Sequence, residues 1–409
     1  MSQPDRPKVA FVIHRYGVDL GGGIEAHCRA VARRMLPHWD LEVLTTRARD
    51  YMTWADDFDE GREIVEGVPV RRFRVDFERD PERFARWTDS ILQPGHRPDP
   101  EEEREWMKAQ GPYSSGLLEY LGRHREEYAL VVFFSYLYAT TWFGLDAAGD
   151  RAALVPAVHD EPTLRLPIFG DLFRRCRYVL FSTIEEKRLV FERFEPSTPF
   201  AVCGGVGMEA MPIPRRRAAW PRPYLLYLGR VDHMKGCGEL FSFFLTPPPT
   251  LPPVDLLLAG RATMQIPDHP RIHALGYVEE ERKRSLLRDA LALVLPSPFE
   301  SLSLALLEAW SFAVPVIVNA ACPVLRGQIA RSGGGLDYGD VESFAEAVAT
   351  VTRSPAERSR MGLGGLRYVR RNYRWERVEG AYLRALETVT GRLGATSRSV
   401  EGAEEGRLR

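Results

Sequence analysis

Two glutamates, Glu300 and Glu308, stand eight residues apart across the start of an apolar helical pattern. At about 1.5 Å rise per residue, their carboxylates would lie roughly 12 Å apart. Acid and base carboxylates that act on one glycosidic bond lie closer, at about 5–9.5 Å. The spacing instead suits two groups that hold opposite ends of an elongated ligand with a diphosphate at its middle. Ribose hydroxyls, or an ion pair within the domain, would satisfy a glutamate on such a helix.

Two cations, Arg230 and Lys235, follow the apolar run Tyr224–Leu228. Five residues apart, they can close on one anionic group, and Gly229 between the run and the cations lets backbone approach a ligand. Two solvated cations in a strand-end turn would explain the same residues. The next two predicted strands also end in glycine. At these strand ends, the candidate donor contacts are Gly260, Tyr277 and Val278.

The segment before Glu308 predicts an anion site. A buried strand ends at Leu295, a loop with two prolines follows, and an apolar helix begins near Ser303. Serine is a favoured N-cap residue, so we expect Ser303 to cap this helix. The amides of the first helical turn would then face the ligand and favour a negative charge.

These segments together resemble glycosyltransferase family 4, a retaining family of the two-domain GT-B architecture. The resemblance covers nearly the whole chain and is densest from Tyr224 to Ser311. Glu300 and Glu308 match the family's E-x7-E motif, and Arg230 and Lys235 match its basic pair.

The resemblance implies a role for each of these residues. Arg230 and Lys235 would hold the donor diphosphate, and Glu308 would hold the ribose. The sugar and its phosphate would be held by Glu300 and by the amides of Ser301, Leu302 and Ser303. Gly-Phe-Gly is common in the family at the last three positions, so the identity of the sugar stays open.

The N-terminal half resembles the family's acceptor side. Gly22, Gly23 and Glu25 match its glycine-rich loop, which would lie beside the leaving phosphate or the acceptor. The same loop satisfies the dinucleotide fingerprint G-x-G-x-x-A, but seven residues separate its glycines from the strand, and the fingerprint needs a tight turn. His159 ends the predicted strand Leu154–Val158, where the family has a histidine near the reacting sugar. We therefore predict a catalytic set of His159, Arg230, Lys235 and Glu300.

A charged segment, 74–128, interrupts the first half and predicts two or three inserted helices. Its aromatic residues could stack on an acceptor sugar or pack the helices together, and the candidates are Trp87, Trp106 and Tyr113.

Short apolar runs alternate with helical patterns along the chain, which predicts α/β domains with parallel sheets. The predicted strands of the first half are Val9–Ile13, Leu41–Thr45, Val68–Phe73, Leu130–Phe134, Leu154–Val158, Tyr178–Phe181 and Phe200–Val202. Those of the second half are Tyr224–Leu228, Leu256–Ala259, Ile272–Leu275, Ala292–Leu295 and Val316–Val318. We expect two Rossmann-like, doubly wound domains that face each other across a cleft.

Four prolines and four arginines in Met211–Pro223 predict the boundary between these domains, since such a segment continues neither a helix nor an inner strand. The expected organisation is an acceptor-side domain 1–210, a linker 211–223, a nucleotide-sugar domain 224–374, a helix 375–392 that returns to the first domain, and a disordered tail 393–409.

Composition narrows the functional class. Lys and Arg number 55 against 56 Asp and Glu, so the basic excess of a general nucleic-acid binder is missing. Five cysteines without C-x-x-C spacing argue against a disulfide framework and a cysteine zinc site. We expect a cytoplasmic protein without signal peptide or membrane span, and a contact with the inner face of a membrane stays open. No cofactor and no metal are expected.

The sequence thus predicts a hexosyltransferase that moves a sugar from a UDP-sugar, or alternatively a GDP-sugar, to a glycan, lipid-linked or small-molecule hydroxyl. Polysaccharide or natural-product biosynthesis is the expected context. A nucleotide-sugar epimerase of the same architecture is the alternative, and a dinucleotide-dependent oxidoreductase is a weaker one.

Overall fold

The computed structural model describes residues 6–209 and 218–391. Within these ranges the chain forms two compact units. The first unit contains residues 6–182, Lys187–Val206 and residues 378–391, and the second contains Thr183–Glu186 and the described residues between Gly207 and Arg377.

The described part of the first unit contains one sheet of eight strands. These are β1 Lys8–Val12, β2 Asp40–Thr46, β3 Gly61–Val65, β4 Val68–Phe73, β5 Leu130–Phe134, β6 Ala152–Val155, β7 Tyr178–Phe181 and β8 Phe200–Val202. Their spatial order is β3-β4-β2-β1-β5-β6-β7-β8. Neighbours pair in parallel, except that β3 runs antiparallel to β4. All five residues of β5 are buried and apolar, as expected for a strand covered on both faces.

Helices cover this sheet. They are α1 Gly23–Met35, α2 Pro81–Ile91, α3 Pro100–Gln110, α4 Ser115–His124, α5 Ala139–Ala148, α6 Ile168–Arg175 and α7 Ile184–Phe194. The charged segment 74–128 contains α2, α3 and α4. Each of these three helices has a capping side chain at its start that accepts a hydrogen bond from a first-turn N–H group. The capping residues are Asp80, Asp99 and Ser114, respectively.

The described part of the second unit contains a sheet of six parallel strands. They are β9 Tyr224–Leu228, β10 Asp255–Ala259, β11 Ile272–Gly276, β12 Ala292–Leu295, β13 Val316–Asn319 and β14 Gly335–Tyr338. The helices are α8 Cys237–Leu245, α9 Glu280–Asp289, α10 Leu304–Ser311, α11 Pro323–Ser332, α12 Val341–Arg353 and α13 Pro355–Asn372, followed by α14 Trp375–Val389.

The order of the second sheet is β11-β10-β9-β12-β13-β14. The chain therefore winds outward from β9 in one direction and then crosses to β12 to wind in the other. The first sheet has the same kind of reversal between β1 and β5. In such sheets, ligands bind at the carboxyl ends of the strands where the winding reverses, so each unit has one expected ligand position.

The structure confirms the predicted fold class, and most predicted strands agree with the observed ones within two residues. Two edge strands were missed, β3 and β14, because their sequences GREIV and GLDY contain charged residues and no apolar run. The strand predicted at Leu154–Val158 is shifted, since β6 ends at Val155.

Of the predicted linker 211–223, residues 211–217 lie outside the described residues, as does the predicted tail 393–409. The remaining part is irregular and bonded to the second unit: Trp220 Nε1 and Arg222 Nε both donate to the buried carboxylate of Asp255, at 2.8 and 3.0 Å.

The last described helix, α14, contains a chain boundary between the units, at residues 377 and 378. Within the described residues, no helix has the length and apolar composition of a membrane span.

Candidate functional site

The loop after β9 lies at the reversal point of the second sheet and carries Gly229, Arg230 and Lys235. Asp232 organises this loop: its carboxylate accepts the Lys235 amide at 2.8 Å and also bonds the Arg230 guanidinium. One buried aspartate thus holds the side chain of Arg230 and the backbone of Lys235. About a third of each cationic side chain is exposed.

Gly236 brings this loop against the loop after β12. Its φ is +73°, and a Cβ atom there would lie 2.2 Å from the Pro296 carbonyl oxygen. Both the left-handed backbone and the close approach require glycine. As a result Lys235 reaches the second loop, and its Nζ lies 2.8 Å from Glu300 Oε1. Two of the predicted catalytic residues are therefore in direct contact.

Glycines at the ends of β9, β10 and β11 make a backbone surface beside this ion pair. Gly229 N–H donates to Ala259, and Gly260 N–H donates to Gly276. A Cβ atom on Gly260 would lie 1.8 Å from the Gly229 carbonyl oxygen. The next residues, Tyr277 and Val278, differ in environment: the Tyr277 side chain is 85% exposed, whereas Val278 packs against the core.

The loop before α10 is unusual at Ser303. This residue stands at the N-cap position with a φ of +70°, and its side chain makes no capping hydrogen bond. The prediction that the Ser303 hydroxyl caps the helix is therefore wrong, because a capping residue needs an extended backbone and Ser303 has a positive φ. Leu302 and Ser303 are buried, and Ser301 is half-buried.

Glu308 lies on α10 and forms an ion pair with Lys283 of α9, with 2.8 Å between Oε1 and Nζ. Lys283 also contacts Glu280 at 2.7 Å. Burial lowers the pKa of Lys283, but the two carboxylates outweigh it and the pKa is raised. The alternative considered for Glu308, an ion pair within the unit, is thus present.

Several residues that support these loops were not predicted from the sequence. Asn319 at the end of β13 donates through Nδ2 to the Pro296 carbonyl oxygen and to Glu239, both at 3.1 Å. Its position just at a strand end is a signal that could have been used. Lys283 and Gln328 lie within helices, where the sequence has no feature that distinguishes them.

In the first unit, Gly22 and Gly23 lie at the N-terminus of α1, beside the reversal point. Glu25 is buried, and its Oε1 lies 3.2 Å from His14 Nε2 and accepts the Arg15 guanidinium. Burial opposes ionisation, but the hydrogen bonds and charges of His14 and Arg15 outweigh it and lower the pKa of Glu25 to about 2. A Cβ on Gly22 would lie 2.0 Å from the Glu25 carboxylate, so this glutamate supports the glycine loop.

His159 lies four residues beyond the end of β6, so the prediction that it directly ends the strand is wrong. Its ring Nδ1 lies 3.7 Å from Glu161 Oε1, and this carboxylate accepts the hydroxyl of the buried Tyr136. The imidazole is about 30% exposed and therefore accessible to a ligand.

The three predicted stacking residues have different environments. Trp106 is fully buried, and its Nε1 donates to Thr88 at 3.0 Å. Its prediction as a stacking ring is wrong, because the ring belongs to the core that joins α2, α3 and α6. Trp87 and Tyr113 are half-buried against the same core, and Tyr113 contacts Phe143 edge-on at 5.1 Å.

No group of three or more His, Cys, Asp or Glu side chains arranged to hold a metal occurs among the described residues.

Comparisons with known proteins place the second unit in context. The model of the family described as glycosyl transferases group 1 matches residues 214–365. Glycogen synthase of Mycobacterium tuberculosis is 27% identical over 190 residues, which are 43% of this chain and 45% of that protein. The chain thus spans about half the length of this curated relative.

Solved structures resemble nearly the whole chain. Sucrose-phosphate synthase of Thermosynechococcus elongatus superimposes with a TM-score of 0.70 at 16% identity, over 95% of this chain and 100% of that one. Anabaena HepE in complex with UDP-glucose gives 0.66 at 15% identity, over 94% and 100%. The chain therefore has the GT-B fold, and its residues 214–365 match the glycosyl transferases group 1 family.

Proposed function

We propose that this protein is a retaining glycosyltransferase that moves a sugar from a nucleotide-diphosphate sugar to an acceptor hydroxyl. The ion pair between Lys235 and Glu300 supports this most strongly, because it places a cation and a carboxylate together at the reversal point of the second sheet. A lysine can form an ion pair with a diphosphate, and a carboxylate can accept hydrogen bonds from the hydroxyls of a sugar.

Arg230 and Lys235 would bind the donor diphosphate. Asp232 holds both on one loop, so their charges are in place before the ligand arrives. As the sugar–phosphate bond breaks, negative charge grows on the departing diphosphate. Fixed cations and helix amides stabilise such charge strongly, with roughly 100- to 1000-fold effects on turnover for a single donor group. The amides of Ser301, Leu302 and Ser303 would contribute the helix end.

Glu308 would bind the ribose without giving up Lys283. The lysine contacts Oε1, and among the described residues Oε2 has no hydrogen-bond donor. A carboxylate accepts several hydrogen bonds, so Oε2 remains available to a ribose hydroxyl. Gly229, Gly260 and Tyr277 would line the nucleoside.

On the acceptor side, His159 would lie near the reacting sugar and Glu25 would hold the loop of Gly22 and Gly23. In the step we propose, the acceptor oxygen bonds to the anomeric carbon while the bond from that carbon to the phosphate oxygen breaks. The acceptor proton passes to a phosphate oxygen on the same face, which retains the configuration. The acceptor would be a glycan, a lipid-linked sugar or a small molecule.

A UDP-sugar is the favoured donor, with a GDP-sugar as the alternative. The comparison proteins support this choice: HepE was solved with UDP-glucose, and the names of the others describe enzymes that synthesise glycogen and sucrose phosphate. No cofactor is proposed, and the donor itself supplies the leaving group.

Thermal shift against UDP-, GDP- and TDP-sugars tests the donor, followed by an assay for nucleoside diphosphate release with candidate acceptors. We expect one nucleotide class to raise the melting temperature and to release its diphosphate. Conversion of the donor sugar into an epimer without any acceptor would overturn the proposal in favour of an epimerase.

A further inference from the structure

A buried glutamine holds the loop before α10. Gln328 of α11 is fully buried, and its Nε2 donates to the Leu302 carbonyl oxygen at 2.7 Å. Leu302 is a member of the loop whose amides are proposed to bind the donor phosphate, so the inference developed here rests on the proposed function.

The Leu302 carbonyl determines which way the Gln328 amide lies, and the Tyr373 hydroxyl helps to hold it. The Tyr373 hydroxyl can donate to Gln328 Oε1, at 3.0 Å, and is itself buried. Because the Leu302 carbonyl oxygen can only accept, the NH₂ group must face it, and Oε1 then faces the Tyr373 hydroxyl. Turning the amide over would leave the Gln328 carbonyl facing the Leu302 carbonyl, so the buried hydrogen bond to Leu302 would be lost.

Tyr373 is itself firmly held. Its N–H donates to Val369 at the end of α13, and its carbonyl oxygen accepts the Met208 amide at 2.7 Å. Helix α13 lies tightly on α10, because a Cβ on Gly365 would lie 2.1 Å from the Trp310 ring. The hydroxyl that holds Gln328 is therefore part of a rigid frame around the helix that carries Glu308.

The hydrogen bond to Leu302 also sets the direction of the next amide. The peptide bond between Leu302 and Ser303 is trans, and in a trans peptide the C=O and N–H groups point in opposite directions. With the Leu302 carbonyl directed at Gln328, the Ser303 N–H must point away from it. This N–H has no hydrogen-bond acceptor within the described residues.

The backbone at Ser303 would not keep this direction unaided. Its φ of +70° lies in the left-handed region, and no capping bond from its own side chain compensates. Such conformations cost about 1–3 kcal/mol and persist where surrounding contacts enforce them. The Leu302–Gln328 hydrogen bond is such a contact.

We propose that Gln328 and Tyr373 are positioning residues that aim the Ser303 amide at the sugar-linked phosphate of the donor. Neither side chain touches the ligand. Their effect passes through the peptide plane between Leu302 and Ser303, so it concerns the distal phosphate and leaves the rest of the nucleotide unaffected.

The test compares UDP with UMP, which lacks the distal phosphate, by isothermal titration calorimetry. The variants are Gln328→Met, which removes both polar groups at similar volume, and Tyr373→Phe, which removes only the hydroxyl. We expect the affinity for UDP to fall about tenfold in Gln328→Met and about threefold in Tyr373→Phe, with the affinity for UMP unchanged. Tyr224→Phe is the matched control, since it removes a buried hydroxyl that donates to Leu286 at the opposite end of β9.

Equal losses for UDP and UMP, or no loss for either, would overturn the positioning role while leaving the proposed function intact. Tyr373→Phe decides the question if Gln328→Met does not fold. If the unmodified protein binds GDP in place of UDP, the same comparison uses GDP and GMP. If it binds no nucleoside diphosphate, the proposed function itself fails.

Discussion

Lys235 Nζ lies 2.8 Å from Glu300 Oε1, and this ion pair joins the loop after β9 to the loop after β12. Each loop begins at the carboxyl end of a strand, and the two strands are the neighbours between which the winding of the sheet reverses. The pair therefore presents opposite charges side by side at the position where this kind of sheet binds its ligand.

Replacing Lys235 by alanine should lower turnover about 100-fold, because one fixed cation no longer stabilises the leaving diphosphate. Steady-state assays of nucleoside diphosphate release measure this. Lys8→Ala is the matched control: Lys8 also forms a close ion pair, with Glu127 at 2.6 Å, but begins β1 at the amino edge of the first sheet. Equal rates for Lys235→Ala and the unmodified protein would remove Lys235 from the catalytic set.

Variants of Glu308 and Lys283 test whether Glu308 binds the ribose or only forms a structural ion pair. Glu308→Gln should raise the donor KM about tenfold with little change in kcat, since it weakens a charge-assisted hydrogen bond to the ribose. Lys283→Met breaks the same ion pair but leaves the carboxylate, so its donor KM should stay within about twofold of the original. If the two variants raise the donor KM equally, Glu308 acts through Lys283 alone.

Ser303 should tolerate glycine and resist a β-branched residue. Ser303→Gly relieves a left-handed conformation that costs an L-residue about 1–2 kcal/mol, offset by roughly 0.5–1 kcal/mol of extra chain entropy. We expect the melting temperature to rise by about 2 °C, with donor affinity kept because the amide remains. Ser303→Val should lower the melting temperature. A loss of stability in Ser303→Gly would contradict the strain assigned to this residue.

The fold could be predicted from the sequence because it follows from local signals. Buried strands are continuous apolar runs, and two glycines predicted as donor contacts, Gly229 and Gly260, follow the carboxyl ends of β9 and β10. The edge strands β3 and β14 lack such runs and were missed. The supporting residues Lys283 and Gln328 depend on tertiary contacts that no local pattern contains: Gln328 lies 26 positions from Leu302, which it holds.

The prediction of Trp106 as a stacking ring also failed because burial depends on tertiary contacts. Spacing within a charged segment does not show which ring faces the core. Trp106 has a polar neighbourhood in sequence, EREWMK, yet its ring is fully enclosed by helices from distant parts of the chain. The Ser303 cap failed because capping needs an extended backbone, and the sequence alone did not show the left-handed turn.

Acid should destabilise the first unit through His27. This side chain is buried between α1 and α14, 3.4 Å from the Tyr382 hydroxyl, and burial lowers its pKa from 6.5 to about 4 despite a backbone hydrogen bond to Gly205. Below pH 6.5 the unfolded chain takes up a proton that the folded chain refuses until about pH 4. His27 therefore costs no stability above pH 6.5. Its protonation in the unfolded chain lowers the free energy of unfolding by about 3 kcal/mol as the pH approaches 4.

Denaturant unfolding across pH 4–7.5 measures this loss. His27→Gln should flatten the slope of stability against pH between pH 6.5 and 4. Glu25 gives a separate window: with its pKa lowered to about 2, its contribution is lost only as the pH falls from about 4.5 toward 2. An unchanged slope in His27→Gln would show that other groups control the transition.

We propose that the second unit binds a nucleotide-diphosphate sugar through four side chains, those of Arg230, Lys235, Glu300 and Glu308. A thermal-shift titration of the unmodified protein and of Lys235→Ala, with UDP-glucose, GDP-mannose and NAD, tests it most directly. We expect that a nucleotide sugar raises the melting temperature of the unmodified protein, that Lys235→Ala loses most of this rise, and that NAD has no effect. Stabilisation by NAD alone, or an equal rise in both proteins, would contradict it.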